Sequence, residues 1–205
     1  MTLRIEHESP SHLAEYARVS IAFDVHETLE VYASDFDVEG HALRARPVRA
    51  PYVKDYDRVP GNHPTEWPRR FDMNAWAILV AWDGETRVGG AVVAWDTPDV
   101  DMLEGRSDLA LLWDLRVAPA ARGRGIGSSL FRAAESWAAG QGAHRLKVET
   151  QNVNVGACRF YARHGCTLGA VRRLAYPELP DEVQLIWYKD LRLLKESPLY
   201  TPPIL

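Results

Sequence analysis

Residues 109–117 read LALLWDLRV, a nearly continuous apolar run interrupted only by Asp114 and Arg116. A strand of this composition has to be covered on both faces, which makes it an interior strand of a sheet with other layers packed against it. It leads through APAARGRGIGS (118–128) into a helical pattern over about 128–140, in which Leu130, Phe131, Ala134, Trp137 and Ala138 share one face and Gly140 or Gly142 ends the helix.

The flanking sequence supplies further strands. AWAILVAW (75–82) and RVGGAVVAW (87–95) are rich in strand formers and flank DGET, whose Asp-Gly step signals a hairpin, so with 109–117 they predict an antiparallel run. LRIEHE (3–8) alternates as a short strand, and Ser9 with Pro10 predicts a helix from about 10 to 23. HRLKVET (144–150) reads as a strand and NVGACRFYARHG (154–165) as a short helix closed by Gly165. TLGAVRRLAY (167–176) and EVQLIWYKDL (182–191) read as a closing pair of strands. Between 24 and 74 the periodicity weakens. Five prolines between 47 and 68 predict an irregular excursion carrying Tyr52, Tyr56, Trp67 and Phe71, of the kind used for lids and binding walls. The whole predicts an α/β (α+β) mixed sheet covered by helices, in one domain over 1–190 followed by an apolar, proline-broken tail, 191–205.

Several function classes are excluded by composition. The 205 residues are 46% hydrophobic with seven tryptophans, enough for a sizeable core. A net charge of -4 with mixed signs disfavours nucleic acid as a partner, since phosphate neutralisation needs a basic surface. The opening MTLRIEHESPS lacks an apolar signal core, and no segment approaches the roughly 18 apolar residues of a membrane span, so a cytoplasmic protein without membrane contact is expected. Seven histidines without HxH or HExxH spacing predict no metal site, and Cys158 and Cys166 read as small core residues.

The cluster Gly123, Gly125 and Gly127 is either a flexible turn or a backbone shaped to hold an anion. Its setting between a buried strand and a helix N-terminus favours the second, because the first helical N–H groups lack partners and the helix dipole attracts negative charge. Arg122 and Arg124 add charge there. The loop has no Walker lysine. Its G-x-G-x-G spacing, with Ser128 at the third fingerprint position and five residues between strand and glycines, does not fit a dinucleotide fold.

Arg122-Gly-Arg-Gly125-Ile-Gly127 resembles the Arg/Gln-x-x-Gly-x-Gly/Ala signature of the GNAT superfamily of acyl-CoA-dependent N-acyltransferases, and VETQNVNVGACRFYARHG (148–165) resembles its second half. The likeness spans about 75–190 clearly and 1–30 loosely. ETQNVNVGACRFYARHGCTLG, with the Trp187-Tyr188 pair of the last strand, is similar to the streptothricin acetyltransferases, departing at Cys166, where phenylalanine is usual, and in 24–74. This resemblance implies a GNAT fold: a largely antiparallel sheet flanked by helices and splayed near 109–117 and 144–150. It implies acetyl-CoA as the acyl donor, direct transfer to an amine, no metal, and the homodimer frequent in the superfamily. Arg122, Gly123, Arg124, Gly125, Ile126, Gly127 and Ser128 are then expected to cradle the pyrophosphate. Leu115, Arg116 and Val117 would run along the pantetheine arm, with a backbone N–H, that of Val117, facing the thioester oxygen, and Asn154 and Ala157 would contact the cofactor.

Tyr161 is the residue that the resemblance makes the general acid, although an aromatic on a helix is ordinarily core. A phenol stays protonated at neutral pH and can donate to a leaving thiolate. The base has two candidates, Asp114 and Glu149, each read equally well as half of an ion pair, with Arg116 or Arg145. Asn154 is also a natural N-cap. The acidic stretches SDFDVE (34–39) and DTPDVD (96–101) suit a cationic small-molecule amine, and Tyr52, Tyr56, Trp67 and Tyr176 are candidates to frame it. A protein or peptide amine as acceptor, and a non-catalytic acyl-CoA sensor, are the competing expectations.

Overall fold

The computed structural model describes residues 3–33 and 41–192. Among them the elements run β1 (Leu3–Glu8), α1 (Leu13–Tyr16), β2 (Phe23–Ala33), β3 (His41–Lys54), β4 (Ala77–Asp83), β5 (Thr86–Ala94), β6 (Leu109–Val117), α2 (Ile126–Gly140), β7 (Arg145–Gln151), α3 (Val155–Arg163), β8 (Thr167–Arg172) and β9 (Gln184–Asp190). The chain divides into two compact units, one of Met1–Ala22, Asp55–Lys147 and Lys189–Leu205, the other of Phe23–Lys54 and Val148–Tyr188.

In the first unit the strands lie in the order β1-β4-β5-β6, every pair antiparallel. α2 packs over β4, β5 and β6 with Ile126, Leu130, Phe131, Ala134 and Ala138 buried. The opposite face carries Tyr16, Trp67, Trp76, Ile78, Val80, Val92 and Leu111, with Phe71 and Trp113 packed against them. The adjacent glycines of β5 serve both layers. A Cβ on Gly89 would meet Leu130 Cδ1 at 3.1 Å, and one on Gly90 would meet Tyr16 Cε2 at 2.2 Å. A bulge in β6 sets Val92 opposite Asp114 but Val93 opposite Leu112. The extra residue reverses the alternation, so Asp114 and Arg116 join Leu111 and Trp113 on the aromatic face.

The helix expected over 10–23 is much shorter. Ser9 does cap it, accepting from Ser11 N, but a 3-10 turn (Pro10–His12) and α1 are all that forms. Val19, Ile21 and Phe23 are weak helix formers, and the Val19 and Ala22 carbonyls are taken by Arg116 Nη1 (3.1 Å) and Arg122 Nη2 (2.7 Å). The segment 55–76 is irregular as its prolines predict, built on 3-10 turns at Tyr56–Arg58 and Pro64–Arg69. Its indoles are tied down: Trp67 Nε1 donates to Asn62 O and Trp76 Nε1 to Thr97 Oγ1.

In the second unit β7, β9 and β8 lie side by side, β8 antiparallel to β9. β2 and β3 form a separate long antiparallel ribbon where the sequence predicts no regular structure. α3 begins at Asn154 as expected, with Asn154 Oδ1 accepting from Ala157 N at 3.1 Å. Both cysteines are buried and unbridged, and burial pushes the Cys158 thiol up to about 11, which fits inert packing residues. No helix among the described residues is long and apolar enough to cross a membrane. The stretch 34–39 and the tail from 193 onward lie outside the described residues.

Candidate active site

β6 ends at Val117, a 3-10 turn at Pro119–Ala121 follows, and residues 122–125 are exposed before Ile126, 1% exposed, anchors the start of α2. Gly123 and Gly125 take φ of 75° and 81°, and Gly125 is the N-cap of α2 without any side-chain capping bond. A Cβ at either glycine would meet nothing within 4 Å. The loop therefore presents exposed main chain at a helix N-terminus that no side chain caps, which fits a pyrophosphate. Arg122 spans from Val117 O (3.0 Å, from Nε) to Ala22 O, fixing the loop to the end of β6. Arg124 Nη2 pairs with Asp83 Oδ2 at 2.8 Å. Gly127 and Ser128 lie in the first turn of α2. Gly125→Ala should destabilise the fold by about 1–2 kcal/mol through its left-handed backbone and weaken acetyl-CoA binding roughly tenfold, or 1.4 kcal/mol, measured by thermal melting and calorimetry.

Leu115 and Val117 are half-buried, while Arg116 is 2% exposed. All five guanidinium N–H groups of Arg116 are engaged. Nε and Nη2 bind the two Asp114 oxygens at 2.8 Å each, Nη1 and Nη2 bind Asp57 at 2.9 and 3.0 Å, and Nη1 also reaches Val19 O. Burial is the largest single influence and opposes its charge, but Asp114, Tyr16 and Asp57 together outweigh it and raise the Arg116 pKa. Any contact of Arg116 with a cofactor is thus left to its main chain. Asp114, 8% exposed, also accepts from Tyr16 Oη at 2.5 Å. Burial, then the Asp114 charge, raises the Tyr16 pKa and keeps that phenol a donor. Of the two readings of Asp114, the ion pair with Arg116 is the one formed.

The second unit holds Glu149, Asn154, Ala157 and Tyr161. Tyr161 is 6% exposed on α3, edge-on to Phe160 with ring centroids 5.2 Å apart. The Ala157 N–H is taken by the Asn154 cap. Glu149 accepts at Oε1 from Tyr176 Oη (2.5 Å) and Gln151 Nε2 (3.3 Å). Gln151 Nε2 also donates to Tyr176 Oη at 3.0 Å. Gln151 was not foreseen from sequence; it stands two residues beyond Glu149 at the end of β7, a strand of mixed polar and apolar side chains in which no local pattern singles it out. A cavity of about 160 Å³ lies between β2 (Phe23, Asp24, Glu27) and the start of α3 (Val153, Asn154, Gly156), well below the roughly 300 Å³ at which ligand pockets begin.

The acetyltransferase (GNAT) family matches residues 47–166. A streptothricin acetyltransferase of Streptomyces lavendulae is 31% identical over 165 residues, covering 80% of this chain and 82% of the relative. One from Escherichia coli is 26% identical over 183 residues, covering 87% and 91%. Among solved structures, a Bacillus anthracis protein assigned to the streptothricin acetyltransferases, in complex with acetyl coenzyme A, aligns with a TM-score of 0.72 at 23% identity, covering 92% of this chain and 99% of its own. The chain belongs to the GNAT family and has its fold, a mixed α/β architecture with a large, mostly antiparallel sheet flanked by helices. It is an acetyl-CoA-dependent acetyltransferase.

Proposed function

We propose that the chain acetylates a primary amine of a small cationic molecule of the streptothricin class. The observation that carries this reading is that its curated relatives of 31% and 26% identity, matched over four-fifths or more of the chain, are both streptothricin acetyltransferases. Bound acetyl-CoA supplies an acyl thioester. The loop Arg122–Ser128 would hold its pyrophosphate by main-chain N–H groups, and the Leu115–Val117 main chain would bind the pantetheine arm.

An alkyl ammonium has a reference pKa of about 10.4, so near pH 7 roughly one molecule in 10³ carries a free lone pair. A carboxylate must take that proton. Glu149 has this capacity, because its Oε2 has no hydrogen-bond partner among the described residues, whereas Asp114 is occupied at both oxygens. Tyr161 donates a proton to the departing thiolate sulfur. A thiolate leaves readily, so the acid contributes at the low end of the usual range, and Tyr161→Phe should slow turnover about 10²-fold with CoA affinity retained.

The test is free-thiol release from acetyl-CoA with streptothricin, simple diamines, and peptides bearing a free N-terminus or lysine. Turnover confined to streptothricin and small diamines supports the proposal. Preference for peptides would assign a protein acceptor, and CoA binding without thiol release from any acceptor would assign a sensor.

A further inference from the structure

The eleven residues between β8 and β9, Arg173–Val183, are tied down along their length. Arg173 Nη2 donates to Val31 O at 2.7 Å. Val183 exchanges both main-chain groups with Asn152, donating to its Oδ1 at 2.8 Å and accepting from its N–H at 3.0 Å. Glu182 pairs with Lys54 of β3, both side chains largely buried. This segment delivers Tyr176 to Glu149.

At the phenol the polarity of the bonds is determined. The Glu149 carboxylate can only accept, and Gln151 Nε2 donates to the Tyr176 oxygen at 3.0 Å. Its single proton is left to point at Glu149 Oε1, 2.5 Å away. Burial, and then the Glu149 charge, raises the Tyr176 pKa, so the phenol stays a donor.

We infer that Tyr176 is a positioning residue for acyl transfer: donating to Oε1 of Glu149, it fixes the carboxylate so that Oε2 is the oxygen presented to the substrate ammonium. The inference rests on the reading of Glu149 as the proton acceptor. Glu149 Oε1 receives both of its donors, Tyr176 and Gln151, and Oε2 none. Without the phenol only the longer bond from Gln151, 3.3 Å, orients the carboxylate, which can then turn and bind the amine in unproductive orientations. A loss of this kind falls on kcat rather than on acetyl-CoA affinity.

The experiment is a double-mutant cycle of Tyr176→Phe and Glu149→Gln, read as kcat and KM for the amine, with CoA affinity by calorimetry and melting temperature recorded for each protein. Tyr176→Phe is expected to lower kcat roughly 10–30-fold, leave CoA affinity within about twofold, and lose no more than about a further twofold in the Glu149→Gln background, the non-additivity expected of coupled groups. Equal losses from Tyr176→Phe in both backgrounds, or no loss from it, overturn the positioning role. Wild-type turnover by Glu149→Gln sinks the reading of Glu149 itself, a separate failure.

Discussion

Arg116→Leu is expected to destabilise the first unit by about 3–5 kcal/mol, the range for removing one partner of a buried ion pair. The substitution leaves the Asp114 carboxylate, 8% exposed, with only the Tyr16 hydroxyl, and leaves Asp57, 15% exposed in its side chain, with no cation at the site. It also strips Val19 O of its donor, and with it one of the two bonds that hold the chain between α1 and β2 to β6 and the loop after it. Equilibrium urea unfolding should show the loss as a lower midpoint with an unchanged slope. The partner variant Arg116→Leu with Asp114→Leu should recover part of it, because it removes the more deeply buried of the two carboxylates left without a cation, Asp57 remaining. If Arg116→Leu loses less than about 1 kcal/mol, the value of an exposed pair, the five bonds at the guanidinium are not what holds these segments.

This network also marks where the sequence stops being readable. The run LALLWDLRV, the glycine loop and the apolar face of α2 are local patterns, and each lies where its pattern predicts, with α2 starting two residues early at Ile126. Asp114 was ambiguous for two reasons that no local pattern contains. Strict alternation would turn Asp114 and Arg116 away from Leu111 and Trp113, and a single bulged residue brings them to the same side. The groups that then satisfy them, Tyr16 and Asp57, are 98 and 59 positions away in the chain. The β2–β3 ribbon was hidden differently. Phe23, Val25, Leu29 and Val31 alternate, but Pro47 and Pro51 in the returning strand read as strand breakers. The register passes from Val25 opposite Tyr52 to Glu27 opposite Pro47, so residues 48–51 lie outside the ladder and Pro51 interrupts no pairing. At the candidate site the motifs picked out Tyr161, Asn154 and the loop, while Tyr176, the nearer donor to Glu149, comes from a loop 27 positions on and is brought there only by the folded chain.

Glu149→Gln should lower kcat/KM for the amine about 10³-fold near neutral pH, within the range for a general base, with CoA affinity and melting temperature close to those of the parent. Glutamine keeps the shape and can still accept from Tyr176 and Gln151, so the fold has little to lose, and what disappears is the capacity to take a proton. Asp114→Asn should do the reverse: it removes the charge facing Arg116 in a buried setting, so stability falls while the activity of the folded fraction changes little. The pH dependence separates loss of a base from a distorted site. Each unit of pH raises the free-amine fraction of the substrate about tenfold until its pKa near 10.4. The deficit of Glu149→Gln should therefore shrink as pH rises from 7 toward 10, because the substrate reaches the site already deprotonated and the missing carboxylate no longer has a proton to remove. A deficit that stays constant across that range would mean that Glu149 shapes the site instead of taking the proton, and the base would have to be sought among other groups.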